Sequence, residues 1–275
     1  MVSIKPVHSL VSAVMQGAGE PGLIVSGSNS LHSYNLRPSD ARALQGARVV
    51  FWVDPALEAF LQKPLEGLTG ATRVVTLADS SGLQKLPVRA GDGFDADDDG
   101  DSEAPYDGHV FLDPENAIAM VAEIAQVLAE ADPENAKLYA ANAEAETKAL
   151  RAQEEVIAAK LKPVAGKSFI LFHDSLHYFE KRFGVHAAGV IAVNPEVPPG
   201  AAGLRALQDR IKTTGVRCVF AEPSFDHRLT DVLVENTGAT SGVIDAEGAL
   251  LDQGPDLYAK LLDGVATSLT ECLSQ

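Results

Sequence analysis

The sequence predicts an α/β fold of two lobes, each a mostly parallel sheet flanked by helices, joined by one long helix. Short apolar runs alternate with amphipathic segments both early and late in the chain, which is typical of parallel strands covered on both faces. Between them, residues 133–161 contain no Gly or Pro after Pro133. At about 1.5 Å per residue, this stretch predicts a helix on the order of 40 Å long. A long surface helix of a single domain is the alternative.

The early part of the chain is predicted to contain four strands and two helices. The strands are apolar runs at residues 4–7, 23–25, 49–53 and 73–77. The helices are at residues 38–44 and 55–65. The second helix follows Asp54, a favourable N-cap residue, and begins with Pro55, whose missing N–H costs nothing at that position.

The rest of the chain continues the alternation after two helical stretches at residues 114–130 and 133–161. Further strands are predicted at residues 168–172, 187–192, 217–221 and 242–244, and further helices at residues 175–183, 201–213, 227–236 and 255–273. We therefore expect an N-terminal lobe over residues 1–131, an inter-lobe helix over residues 132–162 and a C-terminal lobe over residues 163–275.

Charge and composition limit the possible partners. The 275 residues include 22 Lys and Arg against 38 Asp and Glu, a formal net charge of -16, with 46% hydrophobic residues. A surface for nucleic acid needs Lys and Arg against phosphates, so no nucleic-acid partner is expected, and a polybasic membrane anchor is disfavoured as well. A cation is a more natural partner. The sequence has no apolar run long enough to span a membrane and no secretory leader, so we expect a cytosolic protein or a mature secreted form.

Half of the net charge comes from one stretch, residues 92–107, which we call the acidic segment. It carries eight Asp and Glu residues and no Lys or Arg. Because so few of its residues are apolar, it cannot bury enough surface to offset the entropy of ordering. We expect a disordered loop over roughly residues 86–106.

Five polar residues occupy positions where ligands bind in open parallel sheets, just after strands or in the loops between elements. His173, Glu222 and Asp245 directly follow or end predicted strands, His32 lies in a loop rich in Ser and Gly, and His109 precedes a predicted helix. Neutral imidazole suits zinc, and three imidazoles with a carboxylate or open fourth position form a standard tetrahedral site. The alternative is that each His is a surface or capping residue.

Signatures of catalysis are weak. His173 and His177 have the spacing of a zinc-protease helix, but Asp174 stands where that motif needs Glu as general base. The sequence contains no Gly-x-Ser-x-Gly elbow and no phosphate-binding P-loop, and neither Cys has a catalytic sequence context.

Six segments together resemble the zinc-binding periplasmic proteins of ABC transporters, the ZnuA type. In chain order they are SLHSYNLRPSDARAL, GARVVFWVDPALEAFLQKPL, HVFLDPENA, FILFHDSLHYFEKRFGV, NPEVPPG and CVFAEPSFD. The similarity covers nearly the whole chain. It implies two lobes joined by one long rigid helix, Zn²⁺ in the cleft as the transported ligand, and delivery of the ion to the membrane permease of an ABC transporter.

The resemblance also implies a ligand set. It places the three zinc ligands on His32, His109 and His173, and it places Asp245 on an acidic position that some members use as fourth ligand. Other members leave that position to water or a neighbouring Glu, so Asp245, Glu222 and water stay open. His177 falls where relatives have no ligand. Relatives carry a His-rich loop before the second ligand, whereas the acidic segment has no His before His109.

Similar proteins join the pair matching Cys218 and Cys272 by a disulfide. A disulfide places the chain in an oxidising compartment, which here means the periplasm with the leader peptide removed. The alternative is two buried free thiols in a cytosolic protein.

The sequence as a whole predicts a monomeric periplasmic protein that captures zinc and is not an enzyme. One alternative is a zinc metalloenzyme, in which an open coordination position holds an activated water and Glu222 is the general base. Another is a metal-dependent surface adhesin. Adhesins of this family are typically lipid-anchored, and no Cys stands near residue 1.

Overall fold

The predicted fold class is confirmed by a computed structural model of the chain. It describes residues 1–27, 30–31, 34–68, 70, 72–91, 93–94, 105–195, 197, 199–235 and 237–275. Two parallel sheets flanked by helices are connected through one long helix.

The early part of the chain forms a small sheet covered by helices. Its elements are α1 (Lys5–Val14), α2 (Pro38–Gln45), β1 (Val49–Trp52), α3 (Ala59–Glu66), β2 (Arg73–Thr76) and α4 (Pro114–Ala131). Strands β1 and β2 pair in parallel, with Val49 opposite Arg73. Val2 extends this sheet, since it bridges in parallel to both Phe51 and Leu23.

The prediction of a strand over residues 4–7 is wrong, because this region begins helix α1. Pro6 lies in the first turn of the helix, where it is well tolerated. Val7, Leu10, Val11 and Val14 recur at helical spacing and are all buried. The strand expected at residues 23–25 is reduced to the single bridge at Leu23.

The later part of the chain forms a larger sheet. Its elements are α5 (Ala136–Leu161), β3 (Ser168–Leu171), α6 (His177–Phe183), β4 (His186–Val190), α7 (Ala201–Thr214), β5 (Cys218–Ala221), α8 (Arg228–Val234), β6 (Thr240–Val243) and α9 (Leu257–Leu273). The four strands are parallel in the order β4-β3-β5-β6. The carboxyl ends of β3, β5 and β6 therefore lie side by side.

Helix α5 has 26 residues, so it is about 39 Å long. It packs against α1 and α4 from the early part of the chain and against α9 from the later part. Because it contacts elements on both sides, α5 connects the two sheets as the sequence predicted.

Apolar side chains form one buried cluster that runs through both parts of the chain. Phe51 of β1, Phe111 before α4, Ile157 of α5, Phe169 of β3 and Leu261 of α9 all belong to it. A smaller cluster lies on the opposite face of the larger sheet, beneath α7 and α8. Because the cluster is continuous, the two parts of the chain pack against each other through apolar side chains.

The disulfide between Cys218 and Cys272 is present, with the two Cα atoms 6.1 Å apart, which confirms the predicted pairing. It joins β5 to the end of α9. Within the described ranges, none of the helices combines the length and the apolar character needed to cross a membrane.

Candidate metal centre

Two of the predicted zinc ligands meet at the contact between the two sheets. His109 lies in a short turn before α4, and His173 follows β3. Both are buried, and their Nε2 atoms are 3.3 Å apart. Two nitrogen ligands in a tetrahedral site with Zn–N bonds of about 2.05 Å lie ~3.3 Å apart. The pair is therefore spaced as two ligands of one zinc ion.

The Nδ1 atom of each imidazole, which points away from the other ring, is hydrogen-bonded to a carboxyl group. His109 Nδ1 lies 2.8 Å from Asp107 Oδ1, and His173 Nδ1 lies 2.6 Å from Glu222 Oε1. When Nδ1–H donates to a carboxylate, the ring is held in the tautomer that leaves Nε2 free to bind a metal. Both inward nitrogens are thus prepared as ligands.

The two imidazoles are protonated differently. Burial and the neighbouring His109 lower the pKa of His173 to about 3, so its ring stays neutral at physiological pH. Burial opposes protonation of His109 too, but the charge of Asp107 and its hydrogen bond raise the pKa of His109 above its ordinary value. Burial raises the pKa of Glu222 to about 8.

Asp107 was predicted only as part of the acidic segment, and its role beside His109 was not predicted from the sequence. Asp107 is buried, its Oδ1 also accepts from the backbone N–H of His109 at 2.9 Å, and Tyr178 donates to its carbonyl at 2.8 Å. The signal available was its position two residues before His109. His177 contacts the same carboxylate, with Nδ1 3.7 Å from Asp107 Oδ2.

The disorder expected over residues 86–106 does not extend to residues 86–91. Leu86 is buried and accepts the backbone N–H of Asp107 at 2.9 Å. Arg89 is bonded to Asp174 and Glu180 of the later part of the chain. Residues 92 and 95–104, the centre of the acidic segment, lie outside the described residues.

His32, the third predicted ligand, also lies outside the described residues. Its neighbour Leu31 is described and buried, and its backbone is hydrogen-bonded to the carboxylate of Glu247. The chain next to His32 is therefore held against the loop that follows β6.

Asp245, the predicted fourth ligand, lies in that loop, and its carboxylate closes a turn. Oδ1 accepts from the backbone N–H of Ala249 at 2.7 Å, and Oδ2 from that of Leu250 at 2.8 Å. Among the residues that the structure describes, no three His, Cys, Asp or Glu side chains form a complete metal-binding group. The structure thus brings His109 and His173 together, with Asp245 apart from that pair.

Glu247 is a buried carboxylate in the same loop that was not predicted from the sequence, whereas Asp245 is half-buried. Burial and the nearby Glu222 raise the pKa of Glu247 to about 8, while the charge of His109 acts in the opposite direction. Glu247 is therefore close enough to His109 for their charges to interact. The only signal in the sequence was its position two residues after Asp245.

Comparison with protein families gives one match across almost the whole chain. The family described as "Zinc-uptake complex component A periplasmic" matches residues 1–272. Among curated proteins, the high-affinity zinc uptake system protein ZnuA of Brucella suis is 45% identical over 305 aligned positions, covering 100% of this chain and 91% of the relative. The protein of the same name from Paracoccus denitrificans is 31% identical, covering 99% of this chain and 91% of the relative.

Solved structures share the fold at lower identity. A structure described as the crystal structure of ZnuA has a TM-score of 0.84 at 23% identity, covering 99% of this chain and 97% of the other. The laminin-binding protein of Streptococcus agalactiae, described as having adhesin and metal transporting activity, has a TM-score of 0.83 at 24% identity, with the same coverage. These two likenesses concern the fold.

Proposed function

Because the chain belongs to the family of periplasmic zinc-uptake components, we propose that it captures Zn²⁺ at the contact between its two lobes and delivers the ion to the permease of an ABC transporter. Zinc is the transported ligand, and the working compartment is the periplasm. The disulfide between Cys218 and Cys272 fits such an oxidising compartment.

One observation carries the proposal: the Nε2 atoms of His109 and His173 lie 3.3 Å apart, each ring oriented by its own carboxylate. Because the ligands come from the two parts of the chain, a bound ion links both lobes. The N-terminal lobe is residues 1–131, the inter-lobe helix residues 132–162 and the C-terminal lobe residues 163–275.

His32 is the third imidazole ligand in this proposal, and Asp245 is the fourth ligand. Their support is the resemblance, together with the hydrogen bond that joins Leu31 to Glu247 two residues beyond Asp245. To bind zinc, Asp245 has to break its hydrogen bond to the backbone N–H of Ala249 or of Leu250. Water is the alternative fourth ligand.

A competition titration tests the proposed function. Metal-free protein should bind one Zn²⁺ per chain and prefer Zn²⁺ over Mn²⁺ by several orders of magnitude, because imidazole suits zinc whereas manganese favours sites rich in oxygen. Comparable affinities for the two ions, or no stoichiometric zinc, would contradict the proposal.

Transport requires a partner, and we propose that the chain is a monomer that docks on the permease. Relatives are named as parts of zinc uptake systems. The test is zinc uptake by cells that lack their own binding protein, measured with the wild-type chain and with His173→Ala. Equal rescue by both would contradict a role for this site in transport.

The alternative of a zinc metalloenzyme needs Glu222 as the general base. In the structure Glu222 accepts from His173 at both Nδ1 and the backbone N–H, at 2.6 and 3.3 Å. This bonding suits a residue that orients an imidazole, so we favour transport over catalysis.

A further inference from the structure

A buried lysine joins the first helix to the loop that carries Asp245 and Glu247. Lys5 begins α1, and only 9% of its surface is exposed. Its Nζ donates to the carbonyls of Gly248, Ala249 and Leu251 at 3.1, 2.9 and 3.0 Å. An ammonium group has three N–H donors, so the entire hydrogen-bonding capacity of Lys5 is directed at this one loop.

Asp245 also holds this loop in place, through hydrogen bonds within the loop. The Asp245 carboxylate accepts the backbone N–H groups of Ala249 and Leu250, while Lys5 binds carbonyls in the same stretch. The charge of Asp245 also attracts the Lys5 ammonium. We call residues 245–251 the carboxylate turn. The turn is held by the anionic Asp245, which is part of it, and by the cationic Lys5 from the other lobe.

Lys5 also lies next to the chain that leads to His32. Lys5, Leu31 and Glu247 line one small cavity, and Leu31 is hydrogen-bonded through its backbone to Glu247. A movement of the carboxylate turn would therefore change the position of Glu247 relative to Leu31, the residue before His32.

We propose that Lys5 is a positioning residue for the metal site, which holds the carboxylate turn, and with it Asp245 and Glu247, in place beside Leu31. This inference rests on the proposed zinc function and deepens it. Lys5 does not touch the metal. It slows zinc release because the turn that carries the proposed fourth ligand cannot move freely while three hydrogen bonds to a buried cation hold it.

The test compares Lys5→Met with Ser9→Ala in the full chain. Ser9 is a matched control, because it also lies on α1 and reaches the other lobe, where its hydroxyl donates to Pro255 at 2.8 Å and accepts from the N–H of Tyr258 at 2.9 Å. Ser9 does not hold the carboxylate turn. The measurement is the rate of zinc dissociation into an excess of chelator.

We expect Lys5→Met to release zinc at least tenfold faster than wild type and Ser9→Ala to stay within twofold. Co²⁺ bound in place of Zn²⁺ reports coordination directly, so its visible absorption bands should change in Lys5→Met and not in Ser9→Ala. Should Lys5→Met fail to fold, Lys5→Gln keeps part of the hydrogen bonding and should give an intermediate rate.

A double-mutant cycle with Asp245→Ala separates positioning from general damage. If Lys5 acts through the carboxylate turn, Lys5→Met should accelerate release less than threefold once Asp245 is already Ala. If Lys5→Met still accelerated release tenfold in the Asp245→Ala background, the inference about Lys5 would be overturned while the proposed function stood. The same would follow if the dissociation rate and cobalt spectrum of Lys5→Met equalled those of Ser9→Ala. Failure of the wild-type chain to bind zinc would overturn the proposed function itself.

Discussion

His109 and His173 are chemically alike in sequence but differ in their surroundings. Both are buried, and the Nδ1 atom of each is hydrogen-bonded to a carboxyl group. The strongly anionic Asp107 raises the pKa of His109, whereas the pKa of His173 is lowered to about 3. The ring of His173 therefore stays neutral at physiological pH, whereas His109 can bind a metal only after it loses a proton.

Replacement of His173 by Ala should weaken zinc binding by about 100-fold or more, because water must substitute for a strong nitrogen donor. His177, which begins α6 four residues later, is the control. His177→Ala should change affinity only slightly, since His177 contacts Asp107 at 3.7 Å rather than facing the imidazole pair. Calorimetric titration of both variants decides the matter, and equal losses would move the site to the His173–His177 pair.

Zinc affinity should fall as the pH is lowered, and His109 should set where the fall begins. A raised pKa means that protons compete with zinc already above the ordinary value of about 6.5, so proton competition at His109 alone lowers affinity by up to about tenfold per pH unit below its pKa. His173, with a pKa of about 3, adds no competition in this range.

The control for this pH dependence is Asp107→Asn. Without the carboxylate the pKa of His109 falls, so the loss of affinity should begin at lower pH. Competition titrations between pH 5.5 and 7.5 provide the measurement. An affinity that does not vary with pH would argue against histidine ligation.

At the scale of elements, the sequence predicted the alternation of strands and helices well. The larger sheet, α5 and α9 follow from apolar runs and from a long stretch without Gly or Pro. The strand predicted at residues 4–7 failed because four residues are too few to distinguish a strand from the first turn of an amphipathic helix. Lys5 lies in that turn, so its role in the carboxylate turn could not be foreseen.

The site was predicted less completely than the fold. The positions of His109 and His173 between elements made them candidates, and the family resemblance implies that they are ligands, which stays a prediction. Asp107 and Glu247 were missed because each lies among other acidic residues, and only the folded chain shows which carboxylates are buried. Sequence spacing contains no information about burial of that kind.

Arg89 lies just before the acidic segment and forms ion pairs with two residues of the C-terminal lobe. Its Nε donates to Asp174 at 2.9 Å, and its Nη1 and Nη2 donate to Glu180 at 2.9 and 2.7 Å. Glu180 is 2% exposed. Asp174 adjoins His173, so this ion-pair network also borders the metal site.

Arg89→Leu should lower the free energy of unfolding by about 3–5 kcal/mol, because it leaves the buried carboxylate of Glu180 without a counter-ion. Arg73→Leu is the matched control, since the Arg73–Glu130 pair is 43% and 52% exposed and should contribute at most ~1 kcal/mol. Urea unfolding of the metal-free proteins measures both. Glu180→Gln should recover part of the loss in the Arg89→Leu background, and equal effects of the two Arg variants would refute the argument.

The disulfide should stabilise the pairing of α9 with the larger sheet. The loop-entropy model gives about 4 kcal/mol for a bridge that closes a loop of this length, so Cys218→Ala with Cys272→Ala should lower the free energy of unfolding by about that amount. Thiol titration of the denatured, unreduced wild-type protein should find no free sulfhydryl. Two free thiols in protein made in an oxidising compartment would contradict the bond.

At the scale of the molecule, the two lobes share one buried apolar cluster and are also joined by polar contacts. Tyr258 donates to the carbonyl of Phe111 at 2.6 Å, and Arg182 pairs with Asp113 at 2.7 Å. Opening the whole contact would expose this cluster to water, at about 25 cal/mol for each Å² of apolar surface. Zinc exchange through local movements, such as those of the carboxylate turn, costs less than separation of the lobes.

The net charge of -16 is concentrated before His109, so the acidic segment can act on zinc at a distance. Carboxylates bind zinc weakly one at a time, and the segment has no softer nitrogen ligand. Its negative field can still raise the local concentration of divalent cations and speed their encounter with the site. Salt should suppress this effect, since the screening length is roughly 30 Å at 0.01 M ionic strength and about 8 Å at 0.15 M.

Deleting residues 92–104 should leave zinc affinity within about threefold while slowing association at low salt, and much less at high salt. The deletion stops before Asp107, because that carboxylate orients His109. A variant of unchanged length, with the seven Asp and Glu residues of 92–104 replaced by Asn and Gln, is the control and should behave like the deletion. Stopped-flow association at two ionic strengths measures the effect. Loss of a second stoichiometric zinc, or a cleft affinity weakened tenfold, would mean that the segment itself binds zinc.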